Sequence, residues 1–401
     1  MALDRPGALR AEIERALPDR PFAISWWDGA RTSPTREGGP TFVVRSPRAV
    51  GHLLRAPGQL GLGRAYVSGE LDVDDMDRVV DLLHHWDPPA IDRTVKRRLI
   101  SAAVRANGLT RPPPVPASEL RPQGRRHSAD RDRRSVTHHY DVSNDFFALF
   151  LDESMTYSCA IFSRGATTLE EAQDVKRELV CAKLELRAGE RVLDVGCGWG
   201  SWAVHAATRH GVHVTGITLS EPQAARARQR AADEGVADQC EFHVMDWRDL
   251  DAGQFDAIAS IGMVEHVGGA SIDTYAERLF AQLRPGGRLL NHGIARLRHG
   301  DAEAGPFSER YVFPDAAPLH VSRVLYALER AGCETRTVEC FREDYAETLR
   351  HWAQRLDEHR DEGVRLAGAE RMRVWRLYLR TSRSLFETGF MSIFQVLAHK
   401  P

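Results

Sequence analysis

The chain of 401 residues lacks several features that mark common protein classes. Its six cysteines form no C-x-x-C pair and no zinc spacing, which favours a reducing compartment and predicts no metal site. No segment approaches the roughly 18 apolar residues of a membrane-spanning helix. The start has neither a basic nor an apolar segment, so no signal peptide is expected. A formal net charge of −2 gives no overall field that would attract nucleic acid.

Residues 1–105 are predicted to form a smaller α+β domain. The segment 41–45 is strand-like, and helical runs lie around 47–56 and 75–86. The glycine-rich segment 60–71 lies between them. We interpret it as a loop rather than a phosphate cradle, because no Lys-Ser/Thr pair follows.

Composition changes sharply over residues 106–135, which are rich in proline and arginine and almost free of aromatics. Such a segment is typical of a linker without a core of its own. Four basic residues lie just upstream of it, namely Arg93, Lys96, Arg97 and Arg98. Together with them, the segment forms the most basic region of the chain. This region is either a solvated linker or a contact for anionic lipid headgroups, where each basic side chain contributes on the order of 1 kcal/mol.

Residues 136–401 alternate between strand-like and helical segments, which predicts a mostly parallel sheet with helices on both faces. The strand candidates are 191–195, 212–217, 241–245, 255–261, 287–292 and a final strand at 390–399. The helical runs are 169–186, 201–210, 221–234 and 271–283. Pro285-Gly286-Gly287 is predicted to break the chain before the fifth strand. An inserted helical region is expected at roughly 307–382.

A buried apolar strand at 191–195 leads into a turn with glycines at 196, 198 and 200. A helical segment follows at once. Glycines let the backbone approach a ligand closely, and three in alternation after a strand predict a cofactor turn at the carboxyl edge of an α/β sheet. The third glycine of the dinucleotide fingerprint is missing, and the G-x-G-x-G spacing looks like the first motif of S-adenosylmethionine (SAM) methyltransferases.

Further segments surround this turn in a fixed order. They are His138-His-Tyr-Asp-Val-Ser-Asn-Asp-Phe-Phe, Met155-Thr-Tyr-Ser-Cys-Ala-Ile-Phe, Gly216-Ile-Thr-Leu-Ser-Glu-Pro-Gln, Met245-Asp-Trp-Arg-Asp, Ser260-Ile-Gly-Met-Val-Glu-His-Val-Gly, Leu290-Asn-His-Gly-Ile and Asp344-Tyr-Ala-Glu-Thr-Leu. The set resembles the cyclopropane-fatty-acyl-phospholipid synthase family, which includes mycolic-acid cyclopropane synthases and actinobacterial enzymes that methylate oleoyl lipids. The resemblance implies a Rossmann-like SAM-methyltransferase fold with a seven-stranded sheet. By analogy, it also implies that the first domain docks lipid or a partner.

The resemblance implies a SAM site whose members are Tyr157, Ser158, Asp194, Gly196, Gly198, Gly200, Thr218, Leu219, Gln223, Asp246 and Trp247. Thr218 and Gln223 would serve the ribose hydroxyls in place of the usual acidic residue. Asp246 suits the adenine amino group. Trp247 offers a flat face to the ring, although a half-buried surface aromatic is the alternative interpretation.

Methyl transfer to a double bond leaves a carbocation that water would quench, so the reaction needs an apolar, dry site. In the family's pattern five residues hold a bicarbonate ion that acts as the general base; the matching positions are Glu265, His292, Ile294, Cys159 and Tyr345. Cys159 is interpreted as part of the pocket wall rather than a nucleophile, because no His–acid pair matches it. One position departs from the bacterial synthases, which have a late cysteine where this chain has Ser382. Its segments 311–315 and 341–345 look more like the oleoyl-methylating relatives.

The leading hypothesis is SAM-dependent methylation of the cis double bond of a phospholipid acyl chain, giving a cyclopropane. The alternative product is a methylene-branched chain, which a flavin-dependent reductase partner would saturate. A small-molecule or nucleic-acid methyltransferase and a lipid-binding protein without catalysis are the competing classes. The expected setting is cytoplasmic, at the inner face of the membrane, with a homodimer as a further expectation and no nucleic-acid partner.

Overall fold

The computed structural model describes residues 6–108, 111–121, 124, 128, 131, 143–251, 253–298 and 305–401. These residues group into two compact units. The first comprises the described parts of 1–120 with 305–312 and 367–384, and the second comprises those of 121–304, 313–366 and 385–401. Two late segments therefore join the first unit, whereas the sequence placed them in the second domain. Part of the predicted linker, and the segment from His138 to Val142, lie outside the described residues.

The helices are named here in chain order. They are α1 (Gly7–Ala16), α2 (Pro47–Arg55), α3 (Gln59–Val67), α4 (Met76–His85), α5 (Arg93–Asn107), α6 (Asn144–Ala148), α7 (Leu169–Lys183), α8 (Ser201–His210), α9 (Glu221–Asp233), α10 (Val264–Val267), α11 (Ile272–Gln282), α12 (Pro306–Tyr311), α13 (Val321–Arg330), α14 (Arg342–Glu358) and α15 (Arg360–Glu387). Short 3₁₀ turns lie at Ala237–Gln239 and Trp247–Asp249. No helix of the described residues is long and apolar enough to cross a membrane.

The strands follow the same order. They are β1 (Ala23–Ser25), β2 (Arg31–Thr32), β3 (Thr41–Val44), β4 (Leu71–Val73), β5 (Arg191–Val195), β6 (His213–Thr218), β7 (Cys240–Val244), β8 (Phe255–Ile261), β9 (Leu283–Arg296), β10 (Leu319–His320), β11 (Glu334–Cys340) and β12 (Met391–His399). The first unit contains a mixed sheet in the order β2-β1-β3-β4 with α1 to α5.

The prediction of a glycine-rich loop at 60–71 is wrong, because much of this segment forms helix α3. Its glycines serve close packing. A Cβ atom at Gly61 would lie 2.1 Å from the carbonyl oxygen of Ala56, and one at Gly63 would lie 2.4 Å from the ring of Phe307. The missing side chains let the helix form where larger residues would collide, which outweighs the weak helical propensity of glycine.

The large sheet of the second unit has the order β11-β12-β9-β8-β5-β6-β7, with β10 beside β9. Strands β5 to β9 pair in parallel, and β12 pairs antiparallel with β9 and β11. The predicted Rossmann-like α/β fold with a mostly parallel sheet is confirmed. Strands β5 and β8 are almost wholly buried, as expected for parallel strands covered by helices on both faces.

Two details of this sheet differ from the prediction. Pro285-Gly286-Gly287 does not break the chain but lies within β9, where the pairing with β8 shifts register between Phe255 and Ala257. The region expected to be helical at 307–382 also contains strand β11. That strand lies at the sheet edge with no fully buried residue, so no apolar alternation marks it in the sequence.

Candidate active site

The glycine turn between β5 and α8 is built for close backbone approach. Gly196, Gly198 and Gly200 have φ of 82°, 53° and 76°, which side chains disfavour. A Cβ atom at Gly196 would also lie 2.5 Å from the Met263 side chain. Gly200 is the N-cap of α8, so the turn delivers the start of a helix to the carboxyl edge of the sheet. This is where α/β folds bind nucleotide-like cofactors.

Two buried ionisable side chains, one acidic and one basic, lie near this turn. Asp194 in β5 is 2% exposed, and burial raises the pKa of its carboxyl to about 7, against the lowering effect of Lys176. Lys176 on α7 is 1% exposed, burial lowers the pKa of its ammonium to about 7, and its Nζ donates to Ser158 Oγ at 2.8 Å. A buried ammonium and carboxylate complement the carboxylate and amino groups of a bound amino acid. The hydrogen bond from Lys176 also fixes the position of the Ser158 hydroxyl.

The residues predicted for the ribose hydroxyls lie together at the end of β6. Thr218 is buried, and its Oγ1 donates to Gln223 Oε1 at 2.7 Å. Ser220 caps α9 by accepting from the Gln223 backbone N–H at 3.4 Å, which fixes the start of that helix. Leu219 between them is partly exposed. The geometry brings two polar side chains to one point of the sheet edge.

The next strand end carries Asp246 and Trp247. Asp246 is 3% exposed and accepts from the backbone N–H of Arg248 at 2.9 Å and from its guanidinium at 2.8 Å. Trp247 is 6% exposed, meets the Tyr275 ring edge-to-face at 5.0 Å and lies under the Arg248 guanidinium at 4.8 Å. Trp247 is therefore a buried residue here, not the half-buried surface aromatic of the alternative interpretation.

Tyr157 belongs to a cluster of aromatic rings that we call the aromatic cluster. Its members are Phe147, Phe150, Tyr157, Trp199, Phe313 and Trp352. The Tyr157 ring centroid lies 5.2 Å from that of Trp352, 5.5 Å from that of Phe147 and 6.5 Å from that of Phe313. Stacked and tilted rings of this kind exclude water and present negative faces. The cluster thus supplies an apolar wall beside the predicted cofactor site.

Glu265 is the second residue of the short helix α10, just after β8. It is 7% exposed, and burial raises the pKa of its carboxyl to about 7, against hydrogen bonds from the backbone N–H groups of Glu265 itself and Ile294. Its Oε2 atom is buried without a hydrogen-bond partner among the described residues. Gly293 allows this approach, because a Cβ atom there would lie 2.2 Å from Val264 and 3.2 Å from Glu265 Oε2.

His292 lies in β9 opposite Ile261 of β8 and opposite Gln395 of β12. The ring is 1% exposed, and burial, together with Lys176 and Lys183, lowers its pKa well below the usual value. Its Nδ1 is 3.2 Å from Gln395 Nε2, whereas Nε2 is buried without a partner in the described part of the chain. A second unpartnered polar atom therefore occurs near the end of β8.

Cys159 and Tyr345 both lie near the start of α14. Cys159 is fully buried; its Sγ donates to the carbonyl of Ala160 at 3.1 Å and contacts that of Phe341 at 3.8 Å. The Phe341 ring centroid lies 6.2 Å from that of His292, and Tyr345 follows one helical turn later, with its ring 4.6 Å from that of Phe386. Burial raises the pKa of the Cys159 thiol well above its usual value, which disfavours a nucleophilic thiolate.

Several residues of this site were not anticipated from the sequence. They are Gln173, Lys176, Lys183 and Gln395. Gln173 Nε2 donates to the Ser158 carbonyl at 2.9 Å and so supports the Tyr157-Ser158 segment. A signal existed: polar residues fall on the buried face of α7, whose other members include Leu169, Ala172 and Val180.

One group of side chains among the described residues, outside this site, has a spacing that could hold a metal ion, and the prediction of no metal site stays untested. Ligand atoms of Cys181, His205 and His210 lie within 4.8 Å of one another on α7 and α8. Both histidines already contact Glu178, at 3.1 Å and 3.2 Å. Their spacing in sequence gives no metal motif, because the ligands meet across two helices.

Comparison with known proteins identifies the family to which the chain is similar. A family model for mycolic acid cyclopropane synthetase matches residues 127–396. A probable fatty acid methyltransferase of Mycobacterium tuberculosis is 39% identical over 407 residues, covering 97% of this chain and 93% of its own. A tuberculostearic acid methyltransferase of the same organism is 32% identical over 396 residues, covering 96% and 88%. The solved structure of the mycolic acid cyclopropane synthase CmaA1 with SAH and CTAB is similar at a TM-score of 0.64 and 31% identity, covering 67% of this chain and 98% of that one.

The fold and the glycine turn, taken with these relatives, define a SAM-dependent methyltransferase. The chain belongs to the mycolic acid cyclopropane synthetase family. The individual residues assigned to the cofactor and to catalysis stay predictions, now with a described geometry.

Proposed function

We propose that this enzyme transfers the methyl group of SAM to the cis double bond of an unsaturated phospholipid acyl chain and forms a cyclopropane. At the coarser level, its relatives are SAM-dependent lipid methyltransferases and cyclopropane synthases. The observation that carries the finer proposal is the buried pair of unpartnered polar atoms, Glu265 Oε2 and His292 Nε2, in a site with an aromatic wall. Methylation of an alkene requires such a place, apolar overall but with a few oriented polar groups.

The π electrons of the double bond attack the sulfonium methyl, the carbon–sulfur bond breaks, and S-adenosylhomocysteine leaves. The resulting carbocation loses one proton from the new methyl group, and closure of the ring completes a net gain of CH₂. The rings of the aromatic cluster can stabilise the cation through their negative faces and exclude water that would trap it.

The residues at the reaction side suit a small bound anion such as bicarbonate. Burial favours the neutral forms of the Glu265 carboxyl, the His292 ring and the Cys159 thiol. Glu265 and His292 can therefore donate to an anion, and the uncharged Cys159 thiol does not repel it. We propose that Glu265, His292, Cys159, Tyr345 and the backbone at Ile294 hold it. When bound, the anion would supply the base that accepts the proton of the methyl group.

A second product is favoured by one observation. The relatives that match nearly the whole chain include a tuberculostearic acid methyltransferase, whereas the CmaA1 match covers 67% of the chain. On this route the same cation loses a methyl proton after a hydride shift and leaves a methylene branch. A flavin-dependent reductase partner, and a homodimer, stay predictions.

Mass spectrometry of fatty acids from a host supplied with oleate tests the proposal. Expression of the enzyme should add the mass of CH₂ to the oleoyl chain, and a Glu265→Gln variant should not. Mild hydrogenation then distinguishes the products, because a methylene branch takes up two hydrogens under conditions that leave a cyclopropane intact. An unchanged oleoyl pool, with SAM binding intact, would contradict lipid methylation.

We further propose that α5 brings the enzyme to anionic membrane surfaces. Lys96 and Arg97 are exposed on this helix, and the apolar Ile100 and Val104 are 46% and 51% exposed. Basic and apolar side chains exposed on one helix are typical of interfacial contact. Since each basic residue contributes on the order of 1 kcal/mol, replacing Lys96 and Arg97 by serine should weaken binding to anionic vesicles by roughly thirtyfold.

A matched control replaces two exposed arginines of α15, Arg360 and Arg365, by serine. That variant should bind vesicles as the unaltered enzyme does. Binding of the unaltered enzyme should also fall steeply as salt rises. Equal loss in both variants, or salt-independent binding, would remove the proposal for α5.

A further inference from the structure

A chain of polar contacts reaches His292 from the side opposite its unpartnered nitrogen. Gln395 of β12 lies directly across from His292 in the antiparallel pairing with β9, and it is fully buried. Its Nε2 is 3.2 Å from His292 Nδ1. On its other side, Lys183 Nζ donates to Gln395 Oε1 at 2.7 Å and to Glu339 Oε2 at 2.5 Å. We call Glu339, Lys183 and Gln395 the support chain.

The charge of Lys183 settles which way the Gln395 amide points. A lysine ammonium only donates hydrogen bonds, so the amide oxygen must face Lys183 and the amide NH₂ must face His292. The NH₂ group only donates, so His292 Nδ1 has to accept. A neutral imidazole that accepts at Nδ1 carries its hydrogen on Nε2.

We propose that Gln395 is a positioning residue that fixes His292 in the tautomer with its hydrogen on Nε2, and that Lys183 holds the Gln395 amide in the orientation this requires. The inference rests on the proposed function, since it gives the unpartnered Nε2–H a purpose as a donor to an anion in the site. In the other tautomer the same position would present a lone pair, which repels an anion. A histidine's protonated nitrogen is commonly set by the hydrogen bond at its other nitrogen.

The tautomer can be observed without any reaction. Long-range ¹H–¹⁵N spectra of protein labelled at histidine distinguish the two neutral forms, and a His292→Gln variant identifies the resonance among the 17 histidines. The unaltered protein should show His292 with its hydrogen on Nε2. A Gln395→Glu variant keeps the side-chain size but replaces the donor with an acceptor, so it should move the hydrogen to Nδ1.

Turnover should follow the tautomer. We expect Gln395→Glu and Gln395→Leu to lower kcat by roughly a hundredfold, the low end of the range for a positioned acid–base group, while SAM affinity stays within a few-fold. Lys183→Met should lower kcat by less, because the Gln395 amide can then flip and still adopt the required orientation part of the time. Gln282→Leu is the matched control, since Gln282 is buried at the end of α11 and, within the described part of the chain, its Nε2 bonds the Leu250 carbonyl alone, at 3.5 Å. That control should keep normal turnover and the normal His292 spectrum.

Three results would overturn the inference. The first is a His292 spectrum with the hydrogen on Nδ1 in the unaltered protein. The second is normal turnover in Gln395→Glu, which would show that the side chain only fills space. The third is an equal loss of activity in Gln282→Leu. An enzyme with the expected tautomer that forms no lipid product would instead contradict the proposed function and leave the tautomer assignment supported.

Discussion

At the carboxyl edge of the large sheet, buried polar side chains are hydrogen-bonded at one end and lack partners at the other. At β6 and β7 polar atoms satisfy one another, as in the contacts of Thr218 with Gln223 at 2.7 Å and of Asp246 with Arg248 at 2.8 Å. At β8 and β9, Glu265 Oε2 and His292 Nε2 are buried with no partner among the described residues. A buried unsatisfied polar atom costs about 1–3 kcal/mol. We infer that the cofactor side is preformed, whereas the reaction side is completed by what it binds.

Replacing Glu265 is expected to have the largest effect on this contrast. Glu265→Gln should lower turnover by roughly a hundredfold or more, because the carboxyl proposed to hold the general base is lost, and should leave SAM affinity within a few-fold. Steady-state kinetics and calorimetric titration with SAM measure the two quantities. Glu277→Gln, at an exposed position of α11, is the control. A parallel loss of SAM affinity would move Glu265 to the cofactor side.

The unaltered protein and the Glu265→Gln variant also test whether burial of the Glu265 carboxyl costs free energy of folding. Glu265 has its pKa raised from 4.5 to about 7, so the folded state retains a proton that the unfolded state has lost. Its contribution to stability is complete below about pH 4.5 and is lost as pH rises towards about 7, at about 1.4 kcal/mol for each unit between the two pKa values. Relative to the unaltered protein, Glu265→Gln should therefore gain in free energy of unfolding between about pH 5 and about pH 8. Denaturant titrations at both pH values measure this. If the difference in free energy of unfolding between the two proteins is the same at both, the pKa of Glu265 is not raised by folding.

A change on the cofactor side is expected to have the smallest effect and the opposite signature. Thr218→Val removes one hydrogen bond at the predicted ribose position, so SAM affinity should fall about tenfold while kcat at saturating SAM changes little. Thr215→Val, earlier in the same strand, should leave both quantities unchanged. If kcat falls and affinity does not, the two sides are not separate in the way we infer.

The sequence indicated the central strands well because they are buried on both faces and read as continuous apolar segments. The edge strand β11 escaped detection, since an edge strand without buried residues carries no such pattern. Helix α3 was missed for a different reason: glycine is a poor helix former, and only tertiary contacts show that Gly61 and Gly63 are needed for packing.

In the site, residues on recognisable motifs could be named from sequence, as Glu265 and His292 were. Their supports could not. Lys183 and Gln395 lie on α7 and β12, far apart in the chain, and only the pairing of β12 with β9 brings Gln395 opposite His292. A lone glutamine in the apolar segment Phe394-Gln395-Val396 was a usable clue, because a buried amide needs partners on both sides.

Gly293 has a consequence for how this site can change over generations. A Cβ atom there would lie 2.2 Å from Val264 and 3.2 Å from Glu265 Oε2, so Val264 is the main obstacle and Glu265 the lesser one. A lineage that loses the glutamate would still need glycine at position 293, because Val264 continues to fill the space. The gap beside the acid can therefore outlast the acid itself, and a later return of the glutamate would find its place still open.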